Sequence, residues 1–204
     1  MIPGDHVFIT YAITYVVMFS MPYDPATKTV LLFGGSVPNG FLNDTWQWNG
    51  RTKTWTQLFP TASPSPRLSF MAYDAATKNV VLFGGENGGP YLGDTWTWDG
   101  VTWTQQFPAN SPSARTRQTM AYDLGLRAVI LFGGTSGPPS SLNDTWVWNG
   151  KTWEQLSLYN QPSSRYVSSM VYDPLTNGLL LFGGETAGNL VTNQTWLLVP
   201  VPIP

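Results

Sequence analysis

The stretch Asn79-Val80-Val81-Leu82-Phe83-Gly84-Gly85, followed by Asp94-Thr95-Trp96-Thr97-Trp98, Asp99-Gly100 and Trp103, decides the fold. Its apolar, β-branched run ends in a diglycine and reads as a short buried strand. Thr-Trp-x-Trp reads as a second strand, and Asp99-Gly100 carries the hairpin chemistry that turns it into a third at Trp103. Upstream, Phe70–Tyr73 reads as a strand joined to the apolar run by a turn over Asp74–Asn79. The unit is thus four short antiparallel strands, with no sustained 3.6-residue period and hence almost no helix.

The unit recurs. Leu-Phe-Gly-Gly stands at Leu32–Gly35, Leu82–Gly85, Leu131–Gly134 and Leu181–Gly184, with spacings of 50, 49 and 50 residues. Tyr-Asp keeps the same spacings at Tyr23, Tyr73, Tyr122 and Tyr172. Asp-Thr-Trp opens at Asp44, Asp94 and Asp144, and the fourth copy reads Gln194-Thr195-Trp196. Pro-Ser-x-Arg recurs at Pro64–Arg67, Pro112–Arg115 and Pro162–Arg165. A four-stranded unit of about 50 residues with this signature is a propeller blade. One domain over 1–204 is expected, with repeats at about 17–58, 67–107, 116–156 and 166–199.

Composition agrees. Of 204 residues, 42% are apolar and only 11% charged, against about 25% charged in an average globular protein. The net charge of −2 argues against nucleic-acid and anionic-membrane partners. With no Cys there is no disulfide framework, thiolate metal site or Cys nucleophile, and the compartment stays open. The apolar stretch Val7–Met21 is interrupted by Thr10, Tyr11, Thr14, Tyr15 and Ser20 and is too short for a spanning helix. Asp5 and His6 precede it where a signal peptide carries Lys or Arg, so it reads as buried strand. The surface, rich in Thr, Asn, Ser and Trp, leans toward a bacterial secreted or cell-envelope protein. All ten Trp fall on repeat positions, three in each of the first three repeats plus Trp196, and so serve packing between blades rather than a sugar platform.

The diglycine, the Asp-Thr-Trp strand, the fourth-strand Trp and the Arg opening the next repeat together resemble the kelch repeat family over about residues 17–199. The resemblance implies an all-β, kelch-type β-propeller and no single activity. Repeat four stops after Trp196–Val199 without a fourth strand, whereas Asp5 lies 18 residues before Tyr23, as Trp55 lies 18 before Tyr73. A strand within 4–9 is therefore expected to complete the last blade and close a four-bladed ring. Kelch propellers usually have six or seven blades, so a fragment that needs partner blades, or that self-associates if its ring is incomplete, is the rival.

Loops between second and third strands share one face with the connectors between repeats, and this long-loop face is the candidate binding surface. Arg67, Arg115 and Arg165 open the innermost strands there. In kelch domains of ubiquitin-ligase adaptors, arginines at matching positions grip acidic peptides, and a guanidinium fork suits carboxylate or phosphate. Because they recur, these arginines also suit a structural role. Val17 stands at the matching place in repeat one. Residues that break the repeat are the other ligand-binding candidates: Glu86 and Glu185, which follow the diglycine, with Tyr91 and Phe41. Arg117, Tyr159 and Tyr166 are similarly unshared.

The copper chemistry of galactose-oxidase-like propellers needs paired His and a Tyr–Cys cross-link; this chain has one His and no Cys. An iron site like that of kelch specifier proteins would need His6, which lies in the closing strand. No catalytic residue, cofactor or metal is therefore expected. The expected function is a non-catalytic interaction module presenting its long-loop face to a protein, peptide or glycan. The alternative is a small propeller enzyme acting on a sugar or sugar acid through Glu86 or Glu185 with the arginines.

Overall fold

The computed structural model describes residues 20–199 except 69, 138 and 189. The expected closing strand within 4–9, with His6 and Val17, lies outside the described residues. Three sheets have four antiparallel strands in sequence order. The first comprises β1 (Tyr23–Asp24), β2 (Thr29–Val37), β3 (Gly40–Asn49) and β4 (Thr54–Leu58). The second comprises β5 (Met71–Asp74), β6 (Asn79–Gly85), β7 (Leu92–Trp98) and β8 (Trp103–Gln106). The third comprises β9 (Thr119–Asp123), β10 (Ala128–Phe132), β11 (Thr145–Trp148) and β12 (Trp153–Leu156). The fourth stops at three strands: β13 (Ser169–Asp173), β14 (Gly178–Phe182) and β17 (Thr195–Leu198). Beside it stands a small hairpin of β15 (Glu185–Thr186) and β16 (Leu190–Val191). Each of the three four-stranded sheets and the three-stranded one is a blade of a β-propeller.

The turns follow from the sequence. Asp24, Asp74, Asp123 and Asp173 each accept a backbone N–H two or three residues on, fixing the turn between first and second strands. The segment Ser36–Asn43, expected as loop, instead largely prolongs the β2–β3 hairpin, with Ser36 paired to Phe41 and Val37 to Gly40. A register shift between Phe33 and Gly35 re-aims the strand, letting pairing continue past the diglycine.

Alternation along the second strands builds the cores. Val80 and Leu82 face back to Leu31 and Phe33 of blade one, with Trp98 and Trp103 in the same cluster. Val81 and Phe83 face forward to Val129, Leu131, Trp148 and Trp153 of blade three. Within blades, Trp98 pairs with Trp103 and Trp148 with Trp153 across neighbouring strands, with ring centroids 5.4 and 5.3 Å apart. Between blades, Trp103 meets Phe33 edge-on at 5.0 Å and Trp153 meets Phe83 at 5.3 Å. Each indole N–H then donates to a threonine hydroxyl of the preceding blade, Trp103 to Thr45 at 3.1 Å and Trp153 to Thr95 at 2.9 Å. Such a Trp satisfies its polar atom while burying a large apolar area.

The diglycine has a steric cause. Gly84 has φ +62°, and a Cβ there would lie 2.6 Å from the carbonyl oxygen of Arg115. That close approach lets Gly85 N–H donate to the same carbonyl at 2.9 Å, tying blade two to the entry of blade three. In the last blade Phe182 is 54% exposed, whereas its counterparts Phe33, Phe83 and Phe132 are 0, 0 and 3% exposed. Among the described residues no helix is long and apolar enough to cross a membrane.

Candidate functional site

The three repeat arginines do not ring a mouth. Arg67, Arg115 and Arg165 are fully buried at the blade junctions. Arg67 donates from both terminal nitrogens to Asp94 at 2.5 and 2.9 Å, from Nη1 also to the Gly84 carbonyl, and from Nε and Nη2 to Ser65. Arg115 repeats the set with Asp144, Gly133 and Ser113. Arg165 repeats it with Gly183 and Ser163, but meets the amide oxygen of Gln194. Their backbones bind the preceding blade, as when Arg67 donates to the Leu42 carbonyl and accepts from Gly35 N–H. Each arginine thus staples two blades, and its fork serves the fold, not a ligand. An acid–base site that joins Glu86 or Glu185 to these arginines is accordingly not assembled.

Asp94 and Asp144 each also accept the indole N–H of the Trp two residues on. Burial alone would raise their pKa values. The guanidinium hydrogen bonds and charge, with the indole bonds, outweigh it and hold both carboxyls below the usual aspartate range.

The residues that break the repeat do gather. Glu86 and Glu185 form isolated backbone bridges with Leu68 and Tyr166 beside the diglycines, as Thr135 does with Thr116. The next residues along the inner segments, Arg117 and Val167, hold φ +58° and +56°, a conformation that non-glycine residues seldom adopt and that is enriched at functional sites. Val167 N–H donates to the Arg117 carbonyl at 3.0 Å, linking the two segments. The Arg117 side chain is 42% exposed, with Nη2 3.9 Å from Glu86, and its Nε is buried with no hydrogen-bond partner.

Tyr91, Arg117, Thr135, Ser140, Tyr166 and Gly188 line one cavity of about 690 Å³ on the long-loop face. Burial raises the Tyr166 phenol pKa, and the hydrogen bond and charge of Glu185 add to it, against a smaller opposing effect of Arg117. Arg117 also lines a second cavity of about 760 Å³ with Phe70, Met71, Met120 and Met170, running along the inner strands. Phe41 stands apart from this cavity, its ring against Gly88 of the next blade, and Tyr91 leans in the same way on Gly137. Tyr159 is fully exposed on the connector to blade four. Sequence reasoning missed Phe59 and Phe107, each 84% exposed on the other connectors. Their signal was the Phe-Pro pair that follows the fourth strands of blades one and two, at Phe59-Pro60 and Phe107-Pro108.

Among the described residues no group of three metal-ligating side chains lies together. No curated protein sequence matches the chain. A family model described as the KLHDC2/KLHL20/DRC7 Kelch-repeats domain matches residues 16–158 of the 204. With the blades and their arginine staples in place, the chain belongs to the kelch repeat family, as a protein-interaction module of the β-propeller type.

Proposed function

We propose that the domain binds a polypeptide segment at the long-loop face, with Arg117 as its charged anchor. The observation that carries this is the Arg117 guanidinium itself, half-exposed over a cavity, loosely paired to Glu86 and with a buried, unpartnered Nε. A guanidinium fork takes a carboxylate or a backbone carbonyl. Glu86 and Glu185 lie beside it to accept N–H groups or cations, and Tyr91 and Tyr166 offer the amphipathic rings that polypeptide interfaces favour. Phe59, Phe107 and Tyr159 are exposed on the connectors between blades.

The test pans a random peptide library on phage against the full chain and against Arg117→Met, with circular dichroism of both as a folding control. Enriched peptides should bind the wild type and lose about tenfold or more in affinity on Arg117→Met. Failure to enrich any peptide overturns the reading, as does equal binding by the variant. Arg117-dependent binding on a glycan array, with no peptide enriched, would replace it by a carbohydrate site.

A further inference from the structure

The Tyr-Asp landmark of every repeat is preceded, two residues before its Tyr, by a methionine: Met21, Met71, Met120 and Met170, spaced by 50, 49 and 50 residues. The chain has six methionines, so four of the six hold one repeat position. Met71 opens β5, Met120 and Met170 lie in β9 and β13, and Met21 stands just before β1. These innermost strands are close neighbours. β9 comes within 8 Å, Cα to Cα, of β5 and of β13. Met71 N–H donates to Ser20 Oγ at 2.9 Å, which holds the residue before Met21 against β5. All four methionines line one open cavity of about 840 Å³ between the strands. The rest of its lining is the x and Tyr positions of Met-x-Tyr-Asp, with no carboxylate, imidazole or ammonium group among the described residues.

Apolar packing does not account for methionine at all four places. Met71 and Met120 also rest against the cores between blades, a role that leucine fills equally well. What leucine lacks is a sulfur atom. Methionine carries a polarizable thioether on three rotatable bonds, which let the sulfur turn from the blade junction toward the cavity.

We propose that the four thioethers form a binding site for a soft monovalent metal ion, Cu(I). Thioether sulfur is a soft, uncharged ligand that selects Cu(I), whereas Ca(II) and Mg(II) call for oxygen ligands. A divalent ion would also leave a second uncompensated charge in a cavity that holds no carboxylate. No cluster of His, Cys, Asp or Glu among the described residues offers a harder seat nearby. Arg117, whose charge opposes a cation, lines the neighbouring cavity and not this one. The ion binds as Cu(I) and stays Cu(I), so no electron is transferred.

The test uses the full chain with carbon-13 in the methionine methyl groups. Silver(I), a soft monovalent ion that needs no reductant, is the first probe. The signals of Met21, Met71, Met120 and Met170, identified by single Met→Leu substitutions, should shift together and stop at one equivalent. Zinc and calcium should move none of them. Cu(I) kept reduced by ascorbate is then competed against bicinchoninate. Leucine conserves the side-chain volume, so each single variant should fold. Each should bind Cu(I) about tenfold or more weakly, at least what a metal site loses with an outer-shell partner. The variant with all four leucines should bind none, and silver should raise the melting temperature of the wild type but not of this variant. Should the fourfold variant fail to fold, the single variants decide. Signals that stay still at several equivalents of silver, or that move without a common end point, overturn the proposal. So does Cu(I) binding that is unchanged in the leucine variants.

Discussion

Arg165 donates from Nη2 to the amide oxygen of Gln194 at 2.7 Å, at the place where Arg67 and Arg115 meet the carboxylates of Asp94 and Asp144. A fully buried guanidinium thereby faces a neutral partner, and burial lowers its pKa. Asp44 in blade one is the converse, a carboxylate with buried Oδ1 and no hydrogen-bond partner for it among the described residues. Replacing Gln194→Asp recreates the bidentate pair of the middle blades. It should stabilise the domain by about 1 kcal/mol or more, since the arginine is already desolvated and a hydrogen bond to a charged group is worth about 1.5–3 kcal/mol. Urea denaturation at neutral pH checks it.

Asp94 and Asp144 make the fold acid-sensitive. Their folded-state pKa values lie below the unfolded ones, so they bind fewer protons in the native state. Their stabilisation is complete above the ordinary aspartate pKa of about 3.9 and is lost as pH falls through the lower folded values. Melting temperature should fall steeply below that point. In Asp94→Asn/Asp144→Asn it should be lower at neutral pH and flatter with acid; parallel curves would disprove the role.

Trp153→Ala removes the wedge from Phe83 and Thr95 and should cost about 3–5 kcal/mol in chemical denaturation. Thr95→Val leaves only the indole N–H unpaired and should cost about 1–3 kcal/mol. Trp55, half-buried at the first blade, should cost less than Trp153 when truncated.

Gly84→Ala should destabilise by about 2 kcal/mol or more, because the position combines positive φ with the Arg115 carbonyl 2.6 Å from the new Cβ. A midpoint unchanged in urea would show that the blade junction can relax.

Tyr166 should titrate above an ordinary tyrosine, and Glu185→Gln should bring it down by removing the carboxylate's charge and hydrogen bond. Carbon-13 NMR of labelled tyrosine through alkaline pH resolves it from the other phenols.

Repetition made much of this legible. The four apolar runs, the aspartate turns and the tryptophan pairs are local patterns, and each copy checked the others. The diglycine was read as a signature, although its cause, the Arg115 backbone pressed against Gly84, belongs to the next blade. The candidate site was legible only as what the repeat left over. Glu86, Tyr91, Arg117 and Tyr166 come together because bridges beside the diglycines bring distant segments to one opening.

By itself the sequence determined the strands, their order and the turns between them, since alternation and turn chemistry act within a few residues. It assigned all ten tryptophans to packing, whereas Trp98, Trp103, Trp148 and Trp153 are the buried ones. Only the tertiary structure decided the fate of the arginines. Recurrence allowed both a ligand ring and a staple, and the choice depends on acceptors such as Asp94, 27 residues from Arg67.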